Sequence, residues 1–327
     1  MDFRLGDDQE ALRDGLRAFC DGRVPIETLR ELERKPEIDR SLWRELADMG
    51  AFGLRVPESE GGVGLGMADA VVAFLELGRR LVPGPLVWSQ LAAGLVDGAA
   101  SGDAVVGGLD LRGSQGTPCV LEHLASLDAL VVLRTEGVFR VDPKALEARS
   151  VETPLDPLTP VHEIARLPEG EPIGGSADAA QLQLEGGALS AALMLGIAEA
   201  TQELATAYAK EREQFGRPIG GFQSIKHLLA DMFVRQEVAR AAVYAAGATL
   251  DDPGVGDVAR SVSAAKATAG EAALRNSRDC IQVHGGMGYT WEVPAHYYLK
   301  RSWVLENAFG TVAEHEERIA GILAGAI

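Results

Sequence analysis

Up to residue 98 the apolar positions recur at helical spacing. Leu12, Leu16 and Phe19 share one face, Leu42, Leu46 and Met49 a second, and Val71, Val72 and Leu75 a third, because residues three and four apart stack along one side of a helix. Between the second and third stripes runs Gly50–Gly66, too rich in glycine to hold a helix, so a surface connection is expected there. From 99 to 184 the period changes. Ala104–Val106, Ala129–Leu133 and Val138–Val141 are short β-branched or alternating runs set off by Gly, Asp, Pro and Ser clusters, which predicts short strands. Pro154, Pro157, Pro160, Pro168 and Pro172 predict a loop-like end to this region, without long helices. From Gly186 onward helices return. Leu189, Leu193, Ile197, Ala200, Leu204 and Ala207 hold one stripe; Ile225, Leu228, Leu229 and Met232 begin another; Val258–Cys280 is alanine-rich and Ala313–Leu323 closes the chain. Long helices with short connections predict an antiparallel four-helix bundle. The expected fold class is therefore mostly α with a small β domain: an N-terminal helical domain over 1–98, a shortened middle β domain over 99–184 and a C-terminal helical bundle over 185–327.

A chain of 327 residues with 46% hydrophobic side chains can bury a substantial core. Charged residues and glycines interrupt it throughout, and no apolar run is long enough for a bilayer, so no membrane association is expected. The opening Met1–Asp8 lacks the basic and apolar regions of a signal peptide, which predicts a cytoplasmic protein. Cys20, Cys119 and Cys280 lie far apart and are odd in number, disfavouring a disulfide framework; all three read as buried thiols. The six histidines are scattered without ligand spacing, so no metal is expected. With 31 basic against 48 acidic side chains, the formal charge of −17 argues against nucleic-acid binding. Any anionic ligand must be met by local cations or helix termini.

Two segments carry more specific chemistry. The run Tyr208–Gln223 reads Tyr-Ala-Lys-Glu-Arg-Glu-Gln-Phe-Gly-Arg-Pro-Ile-Gly-Gly-Phe-Gln. The stripe that starts at Leu189 ends near Arg212, and Gly216-Arg217-Pro218 breaks the helix, leaving the guanidinium beside a turn where it can fork onto a pyrophosphate. The bland alternative is a solvated helix-end cation. The run Gln282–Thr290 contains Gly285-Gly286-Met287-Gly288, glycines that let backbone amides approach a phosphate; alone, such a turn is equally a helix cap. Together the segments closely resemble the Tyr-x-x-x-Arg-x-Gln-Phe-Gly and Gln-x-x-Gly-Gly-x-Gly-Tyr signatures of the acyl-CoA dehydrogenase family, and Val56-Pro57-Glu58-Ser59-Glu60-Gly61-Gly62 is similar to a loop of that family's N-terminal domain.

The resemblance implies an α, β, α fold, FAD as cofactor, an acyl-CoA thioester as substrate and oxidoreductase chemistry. In homotetramers of this family these signatures hold the ADP half of a neighbouring subunit's flavin. Carried over, Arg212, Gln214, Phe215, Gly216, Gln223, Gln282, Gly285, Gly286 and Thr311 would contact a partner's FAD. His284 occupies a variable position of the signature and reads as a packing residue.

The sequence departs from the family where the chemistry is done. The reaction needs a carboxylate over the substrate α carbon, with a pKa raised by desolvation. The family's usual Glu-Gly-Thr triplet is Phe309-Gly310-Thr311 here, and phenylalanine cannot abstract a proton. An alternative family position falls on Gly186, with Glu185 adjacent but about a hundred degrees around the helix. Glu306, one turn before Phe309, is the other fallback; both read as solvated helix carboxylates. The middle region also lacks the family's Thr-Glu-Pro-x-x-Gly-Ser-Asp-type loop and any tryptophan. This pattern resembles the short subunits of heteromeric acyl-CoA dehydrogenases from actinobacterial steroid catabolism. It implies a tetramer with a full-length, base-bearing sister subunit, and electron-transfer flavoprotein or oxygen as acceptor. Two other readings stay open: a self-sufficient homo-oligomer with a relocated base, and a non-enzymatic scaffold subunit.

Overall fold

The computed structural model describes residues 4–112 and 118–325, so Met1–Phe3 of the opening segment lie outside it. Among the described residues the chain forms helices α1 (Asp7–Arg23), α2 (Ile26–Arg34), α3 (Arg40–Asp48), α4 (Met67–Arg79) and α5 (Leu86–Ala92). Strands β1 (Val106–Asp110), β2 (Cys119–Glu122), β3 (Ala129–Arg134), β4 (Gly137–Val141), β5 (Ala148–Ser150), β6 (Val161–Ile164) and β7 (Glu171–Gly175) follow. Then come α6 (Ser176–Glu211), the hairpin β8 (Glu213–Gln214) and β9 (Arg217–Pro218), and helices α7 (Gln223–Asp251), α8 (Val258–His284), α9 (Ala295–Asn307) and α10 (Val312–Leu323). The mostly helical class with a small β region is borne out. None of the described helices is long and apolar enough to cross a membrane.

The chain divides into two compact units: one gathers the N-terminal helix, Val71–Val82 and Ala188 onward, the other Glu27–Ala70 and Pro83–Gly187. In the second unit one sheet has the order β1-β3-β4-β7, with β1 parallel to β3, and another the antiparallel order β2-β6-β5. Strand β3 is central, and Ala129–Leu133 are buried throughout, so it reads as a continuous apolar run rather than an alternation. The proline-rich end is not simply loop, as its sequence suggests, because β5, β6 and β7 occupy it. Pro172 lies on β7 at a sheet edge, where a missing N–H breaks no ladder on the open side, and the other prolines fall between strands.

Two helix boundaries also differ from the sequence reading. Helix α6 begins at Ser176, upstream of Gly186; its first turns are polar, so the apolar stripe gives no sign of them. Among the described residues the C-terminal region holds five helices rather than four. Helix α9 buries Tyr297, Tyr298, Arg301 and Ser302, an aromatic and polar face that makes no stripe. Cys20 and Cys280 are buried as expected, whereas Cys119, on β2, is half-buried.

In the first unit two glycines set the packing. A Cβ on Gly78 would stand 2.1 Å from Leu193 O, and one on Gly196 would stand 2.0 Å from Leu75 O. Each backbone therefore rests in the space left by the other's missing side chain. Asn276, fully buried on α8, donates from Nδ2 to Ala198 O (3.1 Å) and Met232 O (3.0 Å) and accepts from Arg235 Nε (2.9 Å), tying α6, α7 and α8 through one satisfied side chain.

Candidate functional site

The first signature folds as a helix end and a tight hairpin. Arg212 N donates to Tyr208 O (2.8 Å) as the last turn of α6 closes, and Ile219 N donates to Arg212 O (2.8 Å) as the chain returns. Between them Gln214 pairs with Arg217, so Phe215 and Gly216 form a two-residue turn. Their φ values of +54° and +78° give it the left-handed form that matches the twist of the paired strands. Such a φ is costly for phenylalanine, yet Phe215 sits at the tip and is 92% exposed. It meets Phe222 edge-on at 6.0 Å, and the Arg217 guanidinium lies 4.2 Å from the Phe222 ring centre, bracing the hairpin. Gln214 donates to its neighbour, Glu213 O (2.7 Å), and Gln223, the first residue of α7, meets His227 Nε2 at 3.1 Å. Arg212, Gln214, Phe215, Gly216 and Gln223 are all exposed.

The second signature ends α8 and continues as a short 3-10 turn over Gly285–Tyr289. Gln282, Gly285 and Gly286 are exposed, and a Cβ added at either glycine would meet nothing within 4 Å. Gly288 is different: a Cβ there would stand 2.6 Å from Ile281 O, so its role is close packing. Tyr289 (84% exposed) and Trp291 (55%) extend this surface. One apolar cluster joins the two signatures: Ala205 and Ala209 of α6, Met232 of α7, and Cys280, Ile281 and Val283 of α8 are buried together, with Tyr208, Ile219 and Leu228 packed against them. The predicted residues other than Thr311 thus belong to segments anchored on one core at one end of the bundle. An exposed guanidinium, amide side chains, an outward ring and backbone open to approach suit an anionic dinucleotide, and FAD fits that set. Thr311 is otherwise employed, as the N-cap of α10 in a capping box with Glu314.

At the position of the family's base, Phe309 is buried (5% exposed) with φ +57°. Its segment is held from two sides. Lys266, fully buried on α8, donates to Leu305 O (3.0 Å), Glu306 O (3.3 Å) and Ala308 O (2.7 Å), filling the carbonyl end of α9. Burial pushes its ammonium down to about 7. His315 Nε2 donates to Phe309 O (3.1 Å), and its Nδ1 accepts from the Ser263 hydroxyl (3.1 Å), the tautomer these partners require. Burial, then the nearby Lys266, lower His315 to about 4, so the ring is neutral at physiological pH.

Neither fallback carboxylate is the solvated side chain its sequence suggests. Glu185 is buried; its oxygens accept from Arg55 Nη1 and Nη2, each at 2.6 Å, and from Gln181 Nε2 at 2.9 Å. The pair lines a cavity of about 260 Å³ with Val56, Leu91 and Leu182. Glu306 is half-buried and accepts from Val312 N (2.9 Å), satisfying a free amide at the start of α10. Arg55 and Lys266 carry no signal of these roles in the sequence, because their partners lie far away along the chain. Among the described residues no cluster of metal-ligating side chains occurs.

Comparison with known proteins adds to this geometry. The acyl-CoA dehydrogenase N-terminal domain matches residues 6–100 and the C-terminal domain matches 177–323. The acyl-CoA dehydrogenase IpdE2 of Mycobacterium tuberculosis is 36% identical over 274 residues, covering 81% of this chain and 80% of that protein. The crystal structure of the ChsE4-ChsE5 complex from Mycobacterium tuberculosis superposes with a TM-score of 0.85 at 25% identity, covering 99% of each chain. The Tcur3481-Tcur3483 steroid ACAD does so with a TM-score of 0.86 at 25% identity, covering 98% of this chain and 99% of that one.

Proposed function

The chain belongs to the acyl-CoA dehydrogenase family, and from that premise we propose that it is the base-lacking subunit of a heteromeric, FAD-dependent acyl-CoA dehydrogenase. It contributes the ADP-half surface of the flavin site to a sister chain that holds the catalytic base. The observation that carries this reading is one of contrast. The base position is a buried phenylalanine, whereas Arg212 and Phe215 are exposed and a side chain at Gly285 or Gly286 would meet open space.

Arg212 would form charge-assisted hydrogen bonds to the pyrophosphate, Phe215 would cover an apolar face, and the backbone at Gly285–Gly286 would approach without side chains in the way. When bound, FAD supplies the acceptor for the hydride that leaves the substrate β carbon. The α proton goes to a carboxylate of the sister chain, since Glu185 and Glu306 are both engaged in structural bonds. The likeness to two-component complexes, one of them a steroid ACAD, supports a heterotetramer acting on a bulky, sterol-derived acyl-CoA. A cytoplasmic location and an electron-transfer flavoprotein as acceptor belong to the same reading.

The test is the visible spectrum of the protein purified alone and after co-expression with a full-length sister chain. Colourless protein alone, and a yellow complex with one FAD per heterodimer that loses flavin on Arg212→Ala, is the expected result. A yellow homo-oligomer that turns over acyl-CoA by itself would overturn the reading.

A further inference from the structure

Nothing in the family signatures assigns His284, and as a sequence position it reads as filler. Its surroundings are more specific. The side chain is 4% exposed at the last residue of α8, immediately before the open glycines Gly285 and Gly286. Nδ1 lies 2.8 Å from Cys280 O, one turn back, so it is the protonated nitrogen, and the ring cannot rotate without breaking that bond. Burial lowers its pKa, which favours the neutral ring that stacks without a charge to solvate. The ring lies on Tyr208 of α6, with centres 4.2 Å apart and planes 26° from parallel.

Tyr208 is itself fixed to the other signature, because its carbonyl receives the backbone N–H of Arg212. The small side chains Ala205 and Ala209 on either side of Tyr208 let α6 approach the end of α8. The stack therefore joins two segments distant in sequence: on one side the residue that caps the turn of Arg212, on the other the residue that precedes Gly285. A shift of either ring would displace the turn of Arg212 relative to the Gly285–Gly286 backbone.

We propose that His284 is a positioning residue, a pin whose ring, held on Cys280 O and stacked on Tyr208, keeps the Gly285–Gly286 backbone in register with Arg212. This inference rests on the flavin-contributing reading for its functional consequence, but not for its structural one, and its test separates the two.

Hydrogen exchange on the full chain alone, comparing parent, His284→Ala and His284→Phe, reads the pin directly. His284→Ala is expected to speed exchange at Gly285–Gly288 about tenfold, and His284→Phe, which keeps the stacking ring, to restore most of it. Interior amides of α8 stay unchanged. In the complex with the sister chain, FAD release should quicken about tenfold in His284→Ala and little in His284→Phe. Unchanged exchange at Gly285–Gly288 in His284→Ala, or equal acceleration throughout α8, overturns the pin. If His284→Ala does not fold, His284→Phe decides: exchange and FAD release near parental values support a stacking role, and loss of both overturns it. If exchange responds locally while FAD release answers neither to His284→Ala nor to Arg212→Ala, the pin stands and the flavin reading fails.

Discussion

Arg55 holds both carboxylate oxygens of Glu185, each through one terminal nitrogen at 2.6 Å, on a side chain that sequence reasoning would leave in solvent. The pair is mostly buried, with Glu185 the deeper partner. Removing one member leaves the other charge buried and unpaired. Arg55→Ala or Glu185→Gln is expected to cost about 3 kcal/mol, while replacing both with apolar residues of similar volume recovers most of it. Urea melts of the single and double variants check this. A Glu185→Gln protein of parental stability whose complex had lost turnover would restore Glu185 as a candidate base.

His315 gives the protein a defined acid sensitivity. Its folded pKa is depressed to about 4 from the ordinary 6.5, so between those values the unfolded chain binds the proton and the folded chain does not. Its contribution to stability is complete above pH 6.5 and is lost as pH falls through about 4. Lys266, Arg318 and Glu314 act on the same ring, the two cations lowering its pKa and Glu314 raising it. The pH dependence of unfolding, compared between the parent and His315→Gln, should differ in slope within that window and run parallel above it.

Phe215 combines exposure with a left-handed backbone, a conformation that costs a non-glycine residue about 1–2 kcal/mol. Phe215→Gly should therefore raise stability by about 1 kcal/mol or leave it level, while FAD held by the complex becomes weaker. Thermal melts and flavin retention measured on the same variant test both halves. Loss of stability without loss of flavin would make the ring a packing element.

The glycines of the second signature should separate into two kinds. Gly288→Ala drives a Cβ against Ile281 O and is expected to destabilise the chain by about 2 kcal/mol. Gly286→Ala meets open space and should leave stability unchanged, so weaker flavin binding in that variant reports contact with the ligand itself. Melting curves and FAD titration of the two complexes give the comparison.

The local signals in the sequence determined much of this protein. Apolar stripes at 189–207 and 225–232 lie on long helices, and the β-branched run at 129–133 is the central strand, because a chain that buries those positions has few other ways to do so. The motifs also placed Arg212 at a helix end and Gly285 at a helix terminus, since the residues that end helices act over short range. What the pattern missed has a common cause. Helix α9 buries tyrosines and an arginine, α6 starts in polar turns, and Pro172 sits in an edge strand; in each case a distant neighbour supplies the reason.

The roles of charged side chains were decided by tertiary structure alone. Glu185 is a buried ion-pair partner because Arg55, from another part of the chain, reaches it, and Glu306 is a helix cap because α10 begins beside it. Lys266 closes the end of α9, and His284 meets Tyr208, through folding that no local spacing encodes. A carboxylate in sequence is only a charge. Whether it is a base, a cap or half of an ion pair depends on which donors the fold places within hydrogen-bonding distance of it.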